Sequence, residues 1–377
     1  MKCDFLIVGA GFAGSVIAER IASESNFSVI VIDKRLHIGG NAFDFRDENG
    51  ILIHKYGPHF FHSVSNKPVD YLSQFTEWIP YQHKTLGLVD GKLIPIPFNF
   101  NSLYEVFPFK YAKLLENKLL TKFGFGLKIP ILKLQEDEDE DIKFLSDYIY
   151  KNVFLNYTQK QWGYSPNELD PSVTARIPVL LSRDNRYFQD KYQVLPKDGY
   201  TPIFERMLNK KNIKLLLNTS FKDVKEEIDY SHLIYTGAID EFFDFRFGHL
   251  PYRSLKFEFQ KHNLKQFQPN SVVNYPNNND FTRITEFKHL MLNQEQKSTT
   301  IAIEFPEKYV DMINERFYPI PQLANTEIYN QYFQFAQENV PSTIFIGRLA
   351  EYKYYNMNEV ISVALMIYEN KIKKLKI

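Results

Sequence analysis

The feature that most constrains this chain is a glycine-rich turn set between a buried strand and a helix. Residues 4–9, DFLIVG, form an apolar run typical of a buried parallel strand. Gly9, Gly11 and Gly14 then follow with the spacing GxGxxG, and the next residues have helical apolar periodicity. A second apolar run ends at Asp33, where an acid can accept a hydrogen bond from a ribose hydroxyl. Together these parts predict a Rossmann-like fold that binds a dinucleotide.

Each glycine of the turn has its own physical task. Gly9 permits the tight turn, Gly11 lets the backbone approach a pyrophosphate, and Gly14 lets the helix pack on the strand. Phe12 and Ala13 open the helix, whose N-terminus attracts the pyrophosphate. A glycine-rich turn in an α/β domain without a ligand is the alternative, but it does not account for all the parts together.

The residues after the acid favour a flavin dinucleotide over NAD. Lys34 follows Asp33, and Gly39, Gly40 and Asn41 provide a second glycine pair. Such a pair suits close passage of the backbone beside a longer cofactor. FAD is therefore the predicted cofactor.

Two later segments are expected to return to this cofactor. Residues 231–239 predict a strand that ends near Gly237, and residues 342–365 predict a strand, an aromatic loop and a helix. In flavoproteins of the large glutathione-reductase-like group, such a final helix aims its N-terminus at the isoalloxazine. The nucleotide-binding domain is thus expected to use both ends of the chain.

Composition and charge narrow the functional classes. Among 377 residues, Lys plus Arg and Asp plus Glu each number 45, and zero net charge argues against nucleic-acid and polybasic membrane binding. The single cysteine, Cys3, excludes an intramolecular disulfide and a Cys-based zinc cluster. No run reaches the ~18 apolar residues of a membrane span, and Asp4 argues against a signal peptide. We therefore expect a cytoplasmic enzyme with no nucleic-acid partner and no membrane association.

The middle of the chain predicts two insertions into the nucleotide-binding domain. Residues 102–120 and 142–155 have helical periodicity, and the acidic run 135–141 between them is expected to stay solvated. Residues 165–178 contain three prolines and predict a loop long enough to move. Alternating segments between 252 and 305 predict an antiparallel sheet with one buried face.

We therefore expect an α/β protein with a discontinuous Rossmann-like FAD-binding domain, a helical-bundle insert and an antiparallel β-sheet insert. A cleft should lie between the inserts. The predicted boundaries are 1–70, 196–240 and 340–377 for the FAD-binding domain, 99–190 for the helical domain with its mobile substrate loop 165–178, and 71–98 with 241–339 for the sheet domain.

Seven motifs carry a resemblance to a known family. They are HKYGPHFFHS (54–63), IPIPFNFNS (94–102), NYTQKQWG (156–163), RYFQDKYQVLPKDGYT (186–201), YRSLKF (252–257), TRITEFKH (282–289) and GRLAEYKYYNM (347–357). In this order, and nearly end to end, the chain resembles the bacterial UDP-galactopyranose mutases. These are FAD enzymes that interconvert UDP-galactopyranose and UDP-galactofuranose.

The resemblance implies an isomerase, an intramolecular transferase that uses FAD without net redox. Catalysis would be covalent, through N5 of the reduced flavin, and the protein would supply orientation and charge. The resemblance further implies UDP-galactose in its pyranose and furanose forms as the substrate, and an electron donor such as NAD(P)H or a reductase. It also implies a homodimer and a role in cell-surface polysaccharide biosynthesis.

The resemblance assigns the leaving diphosphate to two arginines, whose fork suits phosphate oxygens. By motif these are Arg176, in TARIP, and Arg283, in TRIT. An arginine on a loop can also close over bound UDP as a lid. Without the resemblance, Arg176 would be a solvated loop charge and Arg283 an exposed strand charge. His59 joins the catalytic set as a neighbour of the isoalloxazine.

The resemblance also assigns binding residues. The substrate set is Asn99, Tyr157, Trp162, Tyr187, Phe188, Arg253, Asn274, Tyr318 and Tyr354. The cofactor set is Gly9, Gly11, Phe12, Ala13, Gly14, Asp33, Lys34, Gly40, Asn41, His59, Phe60, Gly237, Arg348, Tyr355, Asn356 and Met357. Each aromatic member could instead be ordinary core. His54, His59 and His62 have a spacing that suggests a metal site, but no carboxylate or cysteine joins them and we expect no metal.

Two departures from the family pattern leave the sugar open. Asn356 replaces the usual Asp, and residues 179–182 lack a basic residue that many relatives carry. Related mutases act on UDP-N-acetylgalactosamine or a dTDP-6-deoxy sugar, so these nucleotide sugars stay candidate substrates.

Two further classes of protein share the predicted fold. A flavin oxidoreductase of amine-oxidase type would bind FAD in the same way, but its cleft has no need of two arginines. A non-catalytic protein such as a Rab GDP-dissociation inhibitor lacks a working flavin site. The intact segments Gly9–Gly14 and Gly39–Asn41 argue against that class.

Overall fold

A parallel five-stranded sheet forms the centre of the nucleotide-binding region in the computed structural model, which describes residues 1–170, 173, 178–291 and 295–375. Its strands are β1 (Lys2–Val8), β2 (Val29–Ile32), β12 (Ile213–Leu216), β13 (Asp229–Tyr235) and β19 (Thr343–Phe345), in the order β12-β2-β1-β13-β19. Phe5, Leu6 and Ile7 of the central strand are fully buried, as expected for a strand covered on both faces. The predicted strand–turn–helix is confirmed, since α1 (Phe12–Glu24) follows β1.

Helices from distant parts of the chain cover this sheet. The helix α12 (Met357–Asn370) packs on α1, and so does α8 (Thr201–Leu208). Val16, Ile361 and Phe204 meet in the core cluster between them. The glycine-rich turn is therefore held by both the beginning and the end of the chain.

A seven-stranded sheet lies beyond this region. Its strands are β7 (Thr85–Val89), β8 (Lys92–Ile96), β14 (Tyr252–His262), β15 (Val272–Asn274), β16 (Arg283–Glu286), β17 (Thr299–Lys308) and β18 (Tyr318–Pro319), in the order β18-β14-β17-β16-β15-β7-β8. The neighbours are antiparallel except β15 and β7, which run parallel. The expectation of a purely antiparallel sheet is wrong for that pair. A parallel pair needs a long crossover, and the chain between β8 and β15 provides one.

Helices fill the segment before the proline-rich loop. They are α3 (Phe100–Val106), α4 (Phe109–Phe123), α5 (Ile131–Gln135), α6 (Glu140–Ile149) and α7 (Asn156–Trp162). The helix expected over 102–120 is two helices, because Pro108 stands between them. The helix expected over 142–155 changes at Tyr150 to a π-helical segment, Tyr150–Leu155, that leads into α7.

The acidic run is more buried than its composition suggests. Asp137 is 8% exposed, and its carboxylate accepts from the Asp139 amide at 3.0 Å and from Lys122 Nζ at 2.7 Å. Asp139 caps α6 by accepting from the Asp141 and Ile142 amides. The expectation of a wholly solvated run is therefore wrong at Asp137.

The described chain contains further strands and α-helices around these sheets. The strands are β3 (Asp44–Arg46) with β4 (Leu52–His54), β9 (Lys128–Ile129) with β10 (Val179–Leu180), and β5 (Phe61–Ser63), β6 (Trp78–Pro80) and β11 (Tyr192–Pro196) in the order β5-β11-β6. The helices are α2 (Lys67–Leu72), α9 (Phe221–Val224), α10 (Ile239–Phe242) and α11 (Leu323–Asn339). No helix within the described ranges is long and apolar enough to cross a membrane. The expected domain boundaries stay a prediction.

Candidate active site

Two adjoining cavities lie where these parts meet. The described residues outline a glycine-turn cavity of about 340 Å³ around Gly9 and Gly11, and an aromatic cavity of about 480 Å³ around Tyr157 and Trp162. The two cavities share lining residues, namely Asn41, His59, Phe317, Arg348, Asn356 and Met357. A ligand in one cavity would therefore touch a ligand in the other across a common boundary.

The backbone of the glycine turn explains the roles of its glycines. Gly9 has φ +106°, and a Cβ there would lie 2.0 Å from Thr236 Oγ1. A Cβ on Gly14 would lie 2.0 Å from the Gly9 carbonyl oxygen, so this glycine permits close packing and lines neither cavity. A Cβ on Gly11 would make only an ordinary contact, 3.6 Å from Gly40 Cα. The hydrogen of Gly11 thus leaves room for a ligand's close approach.

Asp33 stands at the end of β2 on the wall of the glycine-turn cavity. Its Oδ2 accepts from the Ala10 amide at 2.8 Å, and its Oδ1 accepts from the Arg35 amide at 2.9 Å. Each carboxylate oxygen keeps a second lone pair, which a ribose hydroxyl could use. The neighbouring Lys34 also lines this cavity, and its Nζ lies 3.7 Å from Glu315 Oε2.

The other predicted cofactor residues lie around the same cavity. Those that line it are Phe12, Ala13, Gly40, Asn41, Gly237, Tyr355, Asn356 and Met357. Asn356 is the N-cap of α12, and its backbone amide donates to Glu359 Oε2 at 2.7 Å. The positive end of α12 therefore points at the boundary between the cavities. Phe60 differs from this set, since it lines the aromatic cavity only.

Arg348 places a cation in the shared boundary. Its Nη2 donates to the Tyr355 carbonyl at 2.8 Å, and its Nη1 donates to the Phe317 carbonyl at 3.2 Å. The guanidinium also lies 5.2 Å from the Tyr318 ring centre and 4.8 Å from that of Tyr354. Two carbonyls and two aromatic rings hold the guanidinium group in one orientation.

His59 is a neutral side chain at the same boundary. Burial lowers the pKa of His59 to about 3, with a smaller effect from His54. Its Nδ1 lies 2.8 Å from the Gly57 carbonyl, which can only accept, so Nδ1 carries the proton. The Nε2 atom is then an acceptor. The backbone amide of His59 donates to His54 Nδ1 at 3.0 Å, which fixes the turn.

Arg283 is a second permanent cation on the wall of the aromatic cavity. Its Nε lies 3.1 Å from Glu304 Oε1, and its side chain is only 25% exposed. Burial opposes the charge, but Glu304 and nearby tyrosines raise the pKa of Arg283 above its ordinary value. The alternative of a charge on an exposed strand face is wrong for this residue.

Aromatic and amide side chains line the rest of this cavity. Tyr157 and Trp162 come from α7, and the Trp162 ring centre lies 6.0 Å from that of Tyr318. Tyr187, Phe188, Asn274, Tyr318 and Tyr354 also line the cavity. The Oδ1 of Asn274 is buried and has no hydrogen-bond partner among the described residues. A ligand hydroxyl could satisfy it.

Two predicted substrate residues do not reach either cavity. Asn99 caps α3: its Oδ1 accepts from the Asn101 and Ser102 amides, and its Nδ2 donates to the Asp184 carbonyl. Arg253 donates to the carbonyls of Lys160 and Gln161. Both side chains bind other parts of the protein. The expectation that they contact the substrate directly is therefore corrected. Arg176 lies outside the described residues, as do residues 171, 172, 174, 175 and 177 of the proline-rich loop.

The sequence did not single out several residues that the structure brings to the site. Glu304, Phe317, Tyr56 and His83 all line the aromatic cavity. Glu304 pairs with Arg283 across β16 and β17. The one signal in the sequence was an acid among the apolar residues of STTIAIEF, but strand register is required to connect it with Arg283.

Comparison with known proteins shows the family of this chain. The profile of the UDP-galactopyranose mutase family matches residues 152–354, and an NAD(P)-binding Rossmann-like domain matches residues 7–75. The probable UDP-galactopyranose mutase of Klebsiella pneumoniae is 33% identical over 96% of this chain and 93% of its own length. The chain belongs to the UDP-galactopyranose mutase family.

Members of this family with different substrates are comparably similar. The dTDP-fucopyranose mutase of Escherichia coli is 35% identical over 98% of this chain and 99% of its own length. A crystal structure of reduced UDP-galactopyranose mutase shares the fold with a TM-score of 0.73 at 15% identity, over 100% of this chain and 96% of that chain. A putrescine oxidase shares the fold less closely, with a TM-score of 0.58 at 11% identity, over 99% of this chain and 100% of that one.

Proposed function

We propose that this chain is a UDP-galactopyranose mutase that interconverts UDP-galactopyranose and UDP-galactofuranose and requires reduced FAD. The observation that carries the proposal is the position of Arg283. A half-buried, permanently charged guanidinium in an aromatic cavity suits a diphosphate leaving group. That cavity adjoins a second one with the features of a dinucleotide site.

The glycine-turn cavity fits FAD. Gly11 leaves space beside Gly40 for a pyrophosphate, Asp33 offers carboxylate oxygens to a ribose, and the N-terminus of α12 faces the cavity boundary. When bound, reduced FAD would supply a nucleophile for the anomeric carbon, with no net redox. Arg348 would place positive charge near the flavin and so favour its anionic reduced form.

The remaining residues would bind and orient the nucleotide sugar. Arg283 would stabilise the negative charge of UDP as its bond to the sugar breaks, together with Arg176 from the proline-rich loop. The rings of Tyr318 and Tyr354 lie beside Arg348, and a diphosphate in the aromatic cavity could accept from their hydroxyl groups. Tyr157 and Trp162 offer faces for the uracil ring, and the aromatic walls would exclude water.

A dTDP-6-deoxy sugar is the second candidate substrate. It is favoured by the 35% identity to the dTDP-fucopyranose mutase, and Asn356 leaves the choice of sugar open. An amine-oxidase reaction is not favoured, because its substrate gives no role to the Arg283–Glu304 pair.

The test is turnover by the holoenzyme, followed by chromatography. UDP-galactofuranose and dTDP-fucofuranose are supplied in parallel, each with and without anaerobic dithionite. The proposal expects conversion of UDP-galactofuranose to the pyranose only with dithionite. Faster turnover of the dTDP sugar would support the second candidate. No conversion of either sugar by protein with bound, reduced flavin would contradict the proposal.

The electron donor and the assembly belong to the same proposal. NAD(P)H or a reductase would keep the flavin reduced, and the chain would act as a homodimer. Anaerobic bleaching of the flavin absorbance by NAD(P)H tests the donor. Sedimentation of the holoenzyme tests the dimer, and a single monomeric species would contradict it.

A further inference from the structure

Lys160 lies in α7, and its ammonium group makes an unusual set of contacts with backbone carbonyls. Its Nζ donates to the carbonyls of Tyr275 at 2.5 Å, Asn279 at 2.9 Å and Phe281 at 3.0 Å, and lies 3.5 Å from that of Asn277. An ammonium group has three donors, so the three nearest carbonyls use all of them. Lys160 itself lines neither cavity.

These carbonyls belong to the loop 275–282, which joins β15 to β16. The two residues that flank the loop, Asn274 and Arg283, are paired in register and both line the aromatic cavity. The loop therefore connects directly to Arg283 and to Asn274, whose amide oxygen has no partner among the described residues. Lys160 is the cation around which the loop is folded.

Asparagine side chains tie the same loop to the helical region. Asn156 Nδ2 donates to Asn277 Oδ1 at 3.2 Å, and Asn277 Nδ2 donates to the Asn152 carbonyl at 3.1 Å. The loop is thus attached both to α7 and to the π-helical segment before it.

Arg253 holds the other end of α7. From β14 its Nε donates to the Gln161 carbonyl at 2.9 Å and its Nη2 to the Lys160 carbonyl at 3.0 Å. The last carbonyls of a helix have no partner within it, so this guanidinium supplies one. The side chain is 9% exposed, and a buried cation in this role needs such acceptors.

We propose that Lys160 and Arg253 are positioning residues of the nucleotide-sugar site, which clamp α7 onto the seven-stranded sheet and so set Tyr157 and Trp162 against Asn274 and Arg283. The identity of the ligand rests on the proposed function. The clamp itself rests on the contacts of Lys160 and Arg253 with backbone carbonyls.

The cost of burying Lys160 supports this role. Burial lowers the pKa of Lys160 to about 8, partly offset by Asp280 on the loop. An apolar side chain would be easier to bury, but it could not satisfy three loop carbonyls at once.

The test uses Trp162 as a reporter. The chain has two tryptophans, and Trp78→Phe leaves Trp162 as the only one. In that background, Lys160→Met should shift the emission of ligand-free Trp162 and raise the Kd for UDP by about ten- to a hundredfold. Flavin content should not change, because Lys160 does not line the glycine-turn cavity. With reduced flavin, KM should rise more than kcat falls.

Matched variants separate positioning from general stability. Lys160→Arg keeps the positive charge and should restore part of the UDP affinity, and it replaces Lys160→Met if that variant fails to fold. Arg253→Met should also weaken UDP binding. Lys118→Met is the control, since this lysine pairs with Asp139 and Asp141 away from both cavities. It should leave the Kd for UDP unchanged.

The outcomes distinguish this proposal from the proposed function. A parent protein that binds no UDP contradicts the function, but the Trp162 emission still tests the clamp. Unchanged Trp162 emission and unchanged UDP affinity in Lys160→Met would overturn the clamp, even if the parent turns over UDP-galactose.

Discussion

Arg283 and the buried Glu304 form an ion pair whose half-buried cation faces the aromatic cavity. The carboxylate keeps the guanidinium charged and limits its orientations, which suits a group that must meet developing charge without rearrangement. The motif TRIT was enough to predict the arginine. It could not predict the acid, which lies on a neighbouring strand and comes close only through strand register.

Loss of Arg283 should therefore slow the reaction. Arg283→Ala should lower turnover by roughly 10²–10³, as for removal of one donor to a developing anion. The measurement is turnover with dithionite-reduced flavin, together with flavin content and a melting curve, since the change also leaves Glu304 unpaired. Arg183→Ala is the control, because Arg183 pairs with Glu116 and lines neither cavity. Near-normal turnover in Arg283→Ala would show that the role is wrongly assigned.

Asn99 and Arg253 show the limit of motifs at the scale of single residues. Both stand in segments close to the site, as the resemblance implied. Their side chains are used by helix ends, Asn99 at the start of α3 and Arg253 at the end of α7. A motif places a residue in a segment, but the free backbone groups nearby decide where its side chain binds.

The connection of β1 to α1 is the element that the sequence predicted most completely. Its requirements are local: a buried strand, glycines at fixed spacing and an apolar helix face. The parallel β15–β7 pair and the π-helical segment were missed, because strand neighbours and helix pitch depend on tertiary packing.

Two glycine substitutions should separate ligand approach from packing in this element. Gly11 has φ −84°, and its Cβ would meet nothing closer than 3.6 Å, so Gly11→Ala should keep the melting temperature of the apoprotein but lose FAD affinity. Gly14→Ala places a Cβ 2.0 Å from the Gly9 carbonyl oxygen and should lower both the melting temperature and the FAD affinity. Flavin content and apoprotein melting are the measurements. Full flavin content in Gly11→Ala would contradict the pyrophosphate role.

Three histidines, of which His54 and His83 are buried and His59 is half-buried, link the stability of the whole molecule to pH. Burial lowers the pKa of His54 to about 4 and those of His59 and His83 to about 3. The unfolded chain takes up these protons near pH 6.5, whereas the folded chain does not. Stability is therefore complete above about pH 6.5 and falls as the pH drops toward 4.

Each such histidine should lower the free energy of unfolding by up to about 1.4 kcal/mol for each pH unit in that range. His54→Asn keeps an acceptor near the His59 amide and should make the loss of unfolding free energy between pH 6.5 and 5 shallower. The measurement is denaturant unfolding of the holoenzyme at several pH values. His249→Asn, at an exposed position, is the control. Identical slopes for His54→Asn and the parent would contradict the assignment.

The types of region in the molecule could be predicted from the sequence, but the way in which they pack together could not. Strand and helix periodicities indicated a Rossmann-like region with a helical and a β-rich insertion. The meeting of the two cavities at Arg348 required the packing of segments from four parts of the chain, and no local pattern carries that information.

The contribution of both chain ends to one cavity has a consequence for how the protein matures. Gly9 is synthesised early, but Gly347 and Met357 complete the same cavity. A nascent chain that has not yet added β19 and α12 would offer the proposed FAD only part of the cavity walls. Cofactor loading should therefore be a late event in biogenesis, and prematurely terminated chains should accumulate without flavin even when β1 and α1 have already formed.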